Sequence, residues 1–328
     1  MNTRTRYKKR RKKLRWRRIV LLTFLFFFVS IGLFGYNLYS SVVSAVDKMN
    51  NTIDRETSDK RTEEIKFNRK DPISILLVGV DERDGDAGRT DSMLVLTINP
   101  ELKSTKMISI PRDTRAELVN SKKPNKNTIS KMNHAYAFGG IEMTIESIEH
   151  FLNIPIDYYI EVNMEGFKDL VDAVGGIDVN NQYEFELDGT HLLEGQQHLN
   201  GEEALQYARM RKEDPLGDFG RQKRQQEVIS KVIKKGASIS SLGKYDDILE
   251  ALQDNIKTNL TLDDILGIQK IYRPAADSIT KLELDGEGKT MNKVWYYIVE
   301  DETRQELSNE LRDHLDLPKD EVEDSSLY

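Results

Sequence analysis

Residues 207–226, YARMRKEDPLGDFGRQKRQQ, gather Arg209, Arg211, Arg221 and Arg224 in one short stretch. A guanidinium presents a planar fork of donors that fits phosphate oxygens two at a time, so such a cluster suits a multiply charged anion. Arg221, Arg224 and Gln225 also share the i, i+3, i+4 spacing of one helical face. Taken alone, the run reads equally as a solvated helix face, with local ion pairs to Glu213, Asp214 and Asp218. Arg209 and Arg211, two apart, would point about 200° apart on a regular helix. If both reach one ligand, the backbone must leave the helix near Arg211, and Pro215 and Gly217 allow that.

A second set of chemically capable residues lies upstream. The loop DERDGDAGRTD carries Asp81 at its start and Asp91 at its end, with Arg89 two residues before Asp91. The apolar runs on either side, 73–80 and 92–98, read as strands. Paired as an antiparallel hairpin, they would put both carboxylates at one sheet end. Two carboxylates there suit a hard divalent cation, Mg²⁺ or Mn²⁺. The same composition also describes an ordinary polar turn. A third strand over 105–110 ends in IPRDT, and the turn 99–103 makes it antiparallel to the second. That direction returns Arg112 and Asp113 to the Asp81/Asp91 end. A metal with several arginines is a phosphoryl or pyrophosphate site, where charge neutralisation and positioning do most of the work. A carboxylate, Asp81, Asp91 or Asp113, could accept a proton from an attacking hydroxyl.

The elements that must hold these groups read as an α/β domain with a mixed central sheet flanked by helices. Further strands are expected over 157–162, 279–284 and 294–299. Helices are expected over 141–152, 166–174, 201–211, 219–235, 245–255, 262–272 and 302–315. The chain divides into a basic tail (1–18), an apolar span (19–39), a polar stalk (40–70), the domain (71–318) and an acidic tail (319–328).

Charge is distributed unevenly along the 328 residues. Of 48 basic residues, eleven precede Ile19 with no acid among them, leaving 37 against 55 acids thereafter. The following run, IVLLTFLFFFVSIGLFGYNLY, is long enough to cross a bilayer as a helix. A cleaved signal peptide is the competing reading, with Ser44 and Ala45 as a poor cleavage site. The basic flank predicts a cytoplasmic N-terminus and an outward domain. It also explains the basic tail without nucleic acid. The chain has no cysteine, which excludes disulfides, thiolate catalysis and cysteine metal sites. Its five histidines show no HExxH spacing, and there is no phosphate-binding GxxxxGK[ST] loop. An outward-facing domain has no ready supply of nucleoside triphosphate.

LLVGVDER, GRTDSMLVLTINP, ISIPRDT, KMNHAYAFGG, DYYIEVNMEGF, VDAVGGIDV and the arginine stretch, in this order behind a basic tail and one span, resemble the LytR-CpsA-Psr family of cell-wall enzymes. The resemblance covers about 73–235 and points within that family to its teichoic acid transferase group. It implies a phosphotransferase anchored in the cell membrane of a Gram-positive bacterium, single-pass type II, with its C-terminal domain outside. Such enzymes move an anionic glycopolymer, here wall teichoic acid with capsular polysaccharide or another secondary polymer as the alternative cargo, from an undecaprenyl pyrophosphate carrier to peptidoglycan. A phosphodiester forms on the C6 hydroxyl of N-acetylmuramic acid. The resemblance also implies a metal at Asp81 and Asp91. It implies pyrophosphate contacts from Arg89, Arg112, Arg209, Arg211 and Arg221, and from Arg224 and Gln225 of the same motif, which also holds Asp218. Asp91, Arg112 and Asp81 are the expected catalytic residues, and His134 reads as a packing residue. Two other readings stand beside the transferase: a polyprenyl pyrophosphate hydrolase, and a non-catalytic regulator that binds wall intermediates.

Overall fold

The structure is a computed structural model and describes residues 26–28, 36, 39–53, 55, 57–61, 63–81, 88–238 and 252–323. Strands Ile73–Asp81 (β1), Arg89–Asn99 (β2) and Ser104–Ser109 (β3) form the expected antiparallel meander. A hairpin of Arg115–Leu118 (β4) and Thr128–Lys131 (β5) follows, then the helix His134–Leu152 (α1). The next elements are Tyr158–Val162 (β6) and Met164–Ala173 (α2). Two small antiparallel pairs come next: Ile177–Asn181 (β7) with Gly195–Leu199 (β10), and Phe185–Leu187 (β8) with Thr190–Leu192 (β9). Helices Gly201–Arg209 (α3) and Asp218–Ser238 (α4) precede Ile256–Thr258 (β11), Leu262–Ile271 (α5) and Ile279–Leu282 (β12). A hairpin of Glu287–Met291 (β13) and Val294–Ile298 (β14) leads into the last helix, Asp301–His314 (α6).

The main sheet runs β11-β6-β1-β2-β3-β12. β1 is antiparallel to β2 and parallel to β6, so the sheet is mixed. Residues alternate between its faces. Leu76, Val78, Met93, Val95 and Ile108 pack toward α1 and α6, while Ile73, Ile75, Leu94, Leu96 and Met107 pack toward α4 and α5. Each such side chain contributes about 1.5–3 kcal/mol when fully buried. Covering both faces explains why β1 reads as a continuous apolar run instead of an alternating one.

Helix α1 bends at its glycine pair, where Gly140 takes φ 67°. The regular part therefore begins at Ile141, as the sequence predicts. The β4–β5, β7–β10 and β8–β9 hairpins are not in that reading. Their strands are short: β7 alternates buried with exposed residues over only five positions, and β10, equally short, buries only Leu199 fully. Asp188-Gly189 does mark the β8–β9 turn, with φ 48° and 81° at the two positions, as a two-residue hairpin loop requires.

The 40–70 segment is not a free stalk, as expected from its charge. Residues 39–49 are helical, and Val42, Ala45, Val46 and Met49 are buried against Leu252 and Ile256. Their i, i+3, i+4, i+7 spacing marks the apolar stripe that charge content hid. Beyond it, Arg55 makes a bidentate pair with buried Glu149, Arg61 pairs with Asp157 at 2.8 Å, and the Tyr159 hydroxyl donates to the Asn51 carbonyl at 2.5 Å. Residues 320–323 likewise fold back onto α6, where the Val322 N–H donates to Gln305 at 2.8 Å. Among the described residues, no helix is long and apolar enough to cross a membrane. The expected span over 19–39 lies almost wholly outside the described residues, as do the basic tail, residues 324–328 and most of the expected 245–255 helix.

Helix α6 is fastened by buried polar groups. The Arg304 guanidinium donates to the Phe151 carbonyl and Arg312 to that of Asn153. His314 lies between Thr97 Oγ1 at 2.8 Å and Ser104 Oγ at 2.9 Å. Burial, helped by the nearby Lys106 charge, pushes its pKa down to about 4. The unfolded chain binds this proton below about 6.5 while the folded chain does not, so stability is full above that pH and falls as pH drops. The expected loss is at most about 1.4 kcal/mol per pH unit between about 6.5 and 4. His314→Gln should flatten that slope, as thermal melts from pH 7 to pH 4.5 will show.

Candidate functional site

The site forms where β1 ends, β2 begins and β3 runs out, capped by the first turns of α4. Asp81 pairs with Arg89 across the β1–β2 ladder, and the register shifts at Gly79/Val80. Gly79 faces Ser92 and Val80 faces Thr90, which leaves Asp91 as the extra residue of a bulge. Bulges re-aim a side chain where strand pairing ends. The Asp91 carboxylate meets Arg112 here, with Nη1 2.7 Å from Oδ1. Arg112 sits just past Pro111, and its carbonyl accepts from the Asn133 N–H at 3.1 Å. Its Nε lies 3.6 Å from Asp113, whose other oxygen is 2.6 Å from Lys131 Nζ. Burial would lower the Arg112 pKa, but the hydrogen bond and charge of Asp91, with Asp113 and Asp218, raise it overall. Asp113 therefore acts as a fixed strut for Arg112.

Helix α4 supplies the other wall. Arg221 lies one turn beyond Asp218, with Nη2 2.8 Å from Oδ1, and reaches the Asp91 carbonyl at 3.5 Å. The Ser92 hydroxyl donates to Gln225 Oε1 at 3.0 Å and locks the helix to β2. Arg211 Nη1 stands 3.9 Å from the same Asp218 oxygen. Arg211 reaches that position because α3 ends at Arg209 and Met210 takes an extended ψ of 134°. The backbone thus leaves the helix where two converging arginines would require it.

Arg221 is the most informative group. Its side chain is 11% exposed, and its buried Nε has no hydrogen-bond partner. Its pKa is lowered, first by burial and then by the charges of Arg112 and Arg211, against the opposing pull of Asp218 and Asp91. Three guanidinium groups thus converge on Asp91 and Asp218, leaving an excess of positive charge and a spare buried donor. That arrangement suits an anion with several oxygens.

The remaining expected residues divide. Arg224, expected among the pyrophosphate contacts, is turned inward and 7% exposed. Its guanidinium donates to the Tyr207 carbonyl at 2.9 Å, the Asp214 carboxylate and the Met210 carbonyl. Two of these bonds clamp the 210–214 loop and the third ties it to the end of α3, so Arg224 shapes the site from behind. A Cβ at Gly220 would overlap the Asp214 carboxylate, so that position has room for glycine alone. Arg209 also points away from the cluster. It pairs with Asp188 at the β8–β9 turn at 2.6 Å and with Gln206 at 3.1 Å. His134 bonds Ser130 Oγ at 2.8 Å and rests 5.7 Å from the Phe138 ring, in keeping with a packing role. Arg89 lies in β2 at the Asp81 register position, and its side chain lies outside the described residues.

A family model described as LytR_cpsA_psr matches residues 36–313. The chain belongs to the LytR_cpsA_psr family. It is 50% identical over 289 residues to the polyisoprenyl-teichoic acid–peptidoglycan teichoic acid transferase TagU of Bacillus mycoides, a match spanning 88% of this chain and 93% of that protein. The crystal structure of Bacillus subtilis TagV superposes with a TM-score of 0.68 at 38% identity, covering 76% of this chain and 99% of that one. A structure of TagT bound to LIIa-WTA gives 0.68 at 32% identity, covering 80% and 97%.

Among the described residues of this LytR_cpsA_psr chain, no three histidine or acidic side chains gather as metal ligands. Mg²⁺ commonly takes one or two carboxylates, with the rest of its shell from water and substrate phosphate, and the β1–β2 register sets Asp81 opposite Arg89, two residues before Asp91. The sequence reading missed Ser92, Lys131 and the clamping role of Arg224. Only folding brings Lys131 to Asp113. The Arg224–Asp214 pair matches the local ion-pair reading of the arginine run, whereas Arg221 pairs with Asp218 and still keeps an unpartnered Nε. Removing a buried partner strands the other's charge. Arg224→Met should therefore cost about 3–5 kcal/mol by leaving Asp214 unpaired. Arg224→Lys should recover only part of that loss, because one ammonium cannot span three acceptors. Urea denaturation of the two variants checks this.

Proposed function

We propose that this protein is a membrane-anchored phosphotransferase that attaches an anionic wall glycopolymer, most consistently wall teichoic acid, to peptidoglycan. The donor is the polymer on an undecaprenyl pyrophosphate carrier. The acceptor is the C6 hydroxyl of N-acetylmuramic acid. The observation that carries this reading is the buried Arg221, with its spare Nε beside Arg112 and Arg211. The names of the relatives support the same reading.

In this mechanism Arg112, Arg211 and Arg221 bind the pyrophosphate oxygens and hold the polymer-linked phosphorus for in-line attack. Arg89 joins them from the start of β2. The acceptor oxygen forms a bond to that phosphorus, and the bond to the bridging oxygen breaks. Undecaprenyl phosphate leaves, and one carboxylate of the Asp81/Asp91 pair takes the hydroxyl proton. Asp113 and Lys131 keep the Arg112 fork in place while charge builds on the bridging oxygen. Asp81 and Asp91 would hold Mg²⁺ or Mn²⁺, whose positive charge would offset that of the pyrophosphate.

The proposal includes localisation. Residues 19–39 span the cell membrane once, with the basic tail inside and the domain outside. The docking of residues 39–49 on Leu252 and Ile256 supports a short tether. Such a tether keeps the site near a lipid-borne donor. A hydrolase would use the same arginines with water as acceptor, so the acceptor is what the test must vary.

Labelled lipid-linked polymer should pass its label into peptidoglycan when glycan is present. Label recovered only as free polymer or phosphate in every condition would overturn the transferase reading. Arg112→Ala and Arg221→Ala should each lower the transfer rate about 10²–10³-fold. Circular dichroism should show both variants folded.

A further inference from the structure

An exposed aromatic surface lies beside the arginine cluster and takes no part in the mechanism above. Trp295, on β14, is 45% exposed. Its indole lies over the backbone of Gly288 on β13, where a Cβ would come within 3.0 Å of ring atoms Cζ2 and Nε1. The missing side chain lets the ring lie flat along the hairpin instead of standing up from it. Tyr297 follows two residues later on the same face, packed over Gly286. Its ring meets Phe219 edge-on, with centroids 5.4 Å apart. Phe219 is the neighbour of Asp218, and the Tyr297 N–H donates to the Asp113 carbonyl at 2.9 Å. Buried Tyr297 and half-exposed Phe219 thus join the groups that hold Arg112 and Arg221 to the β14 strand, whose exposed ring is Trp295. One strand repeat of about 7 Å separates Tyr297 from Trp295.

We propose that Trp295 is a stacking platform for the acceptor glycan, holding a pyranose ring of the peptidoglycan strand next to the site. This rests on the transferase reading above. A pyranose carries an apolar face of C–H bonds that lies well against a flat aromatic ring, and an exposed apolar patch beside a polar site marks a binding surface. Charge selects the glycan over the polymer. The β13–β14 hairpin carries Glu287, Lys289 and Lys293 and no arginine. Lys289 pairs in register with Tyr296, which points to the opposite face from Trp295. A polyanion would be drawn to the arginine cluster, whereas a strand of uncharged sugar rings fits an aromatic surface whose hairpin carries a net charge of only +1. Binding there would bring the attacking hydroxyl toward Arg112 along the Phe219 side.

The chain has two tryptophans, Trp16 and Trp295, so a full-length Trp16→Phe protein reports on the platform alone. Adding purified, uncrosslinked peptidoglycan glycan strands should shift and quench its emission in a saturable way. Trp295→Ala should raise KM for those strands about tenfold, with KM for the lipid-linked donor unchanged. Trp295→Phe, which keeps a flat ring, should recover most of that loss. An emission insensitive to glycan strands, a response to the lipid-linked donor alone, or a wild-type KM in a folded Trp295→Ala protein would each overturn the platform. The emission measurement needs no turnover. A saturable glycan response in a protein that transfers nothing would leave the platform standing and remove the transferase reading instead.

Discussion

The organisation of this molecule follows from one constraint: the β1–β2–β3 meander is covered on both faces. Helices α1 and α6 occupy one side and α4 and α5 the other, so the strands meet solvent at their ends. Polar groups meant to reach a ligand must then gather at a sheet end, where the apolar runs stop and the hydrogen-bond ladder loosens. The β1–β2 register slips at that point, and Asp91 becomes the residue that no partner opposes. The bulge, Pro111 after β3 and the start of α4 are separate ways of ending regular structure at the same place. Asp81, Asp91, Arg112 and Arg221 come together there because each lies within a residue or two of such an ending.

Burial then decides what each arginine does. Arg221 and Arg224 are one helical turn apart on α4, yet their surroundings differ. Arg224 faces carbonyls of Tyr207 and Met210 and the buried Asp214, which together engage all three of its nitrogens. Arg221 faces other cations as well as Asp218 and retains an unpartnered Nε. A guanidinium in the first setting is spent on the fold, and one in the second keeps a buried donor that the fold does not use. The two roles are linked. The Arg224 clamp shapes the loop in which Met210 leaves the helix, and that departure lets Arg211 approach Asp218. Without it, the regular 200° separation would turn Arg211 away from the cluster.

The N-terminal segment obeys the same logic on a larger scale. Its charge content suggests a solvated spacer, but Val42, Ala45, Val46 and Met49 form a helical stripe that the domain buries. Glu149 and Asp157, two carboxylates of the domain, accept Arg55 and Arg61 from it. Among the described residues, the segment that leads to the proposed span is thus packed against the domain from Val42 onward. A tether of this kind restricts how far the arginine cluster can stray from the chain's entry point.

Much of the fold was legible in the sequence. Apolar runs longer than a half-buried strand needs marked β1, β2 and β3, and the turn at 99–103 fixed their directions, which put Asp81, Asp91 and Arg112 at one end. The 3.6-residue period marked most of the helices, and Gly139-Gly140 marked the start of the regular part of α1. The short hairpins were lost because three to five residues carry too little periodicity, although Asp188-Gly189 was a usable signal. The arginines show the deeper limit. Their sequence supplied charge, donor geometry and helical phase, which are properties of the residues and their spacing. It could not separate Arg224 from Arg221, Arg209 from Arg211, or pair Lys131 with Asp113. Those assignments depend on which carbonyls and carboxylates arrive from other segments and on how much water is excluded. Residue types and local periodicity set the elements and the chemistry available to them. Tertiary packing alone decided which charges were neutralised and which stayed available, because desolvation and partner geometry exist only in the folded chain.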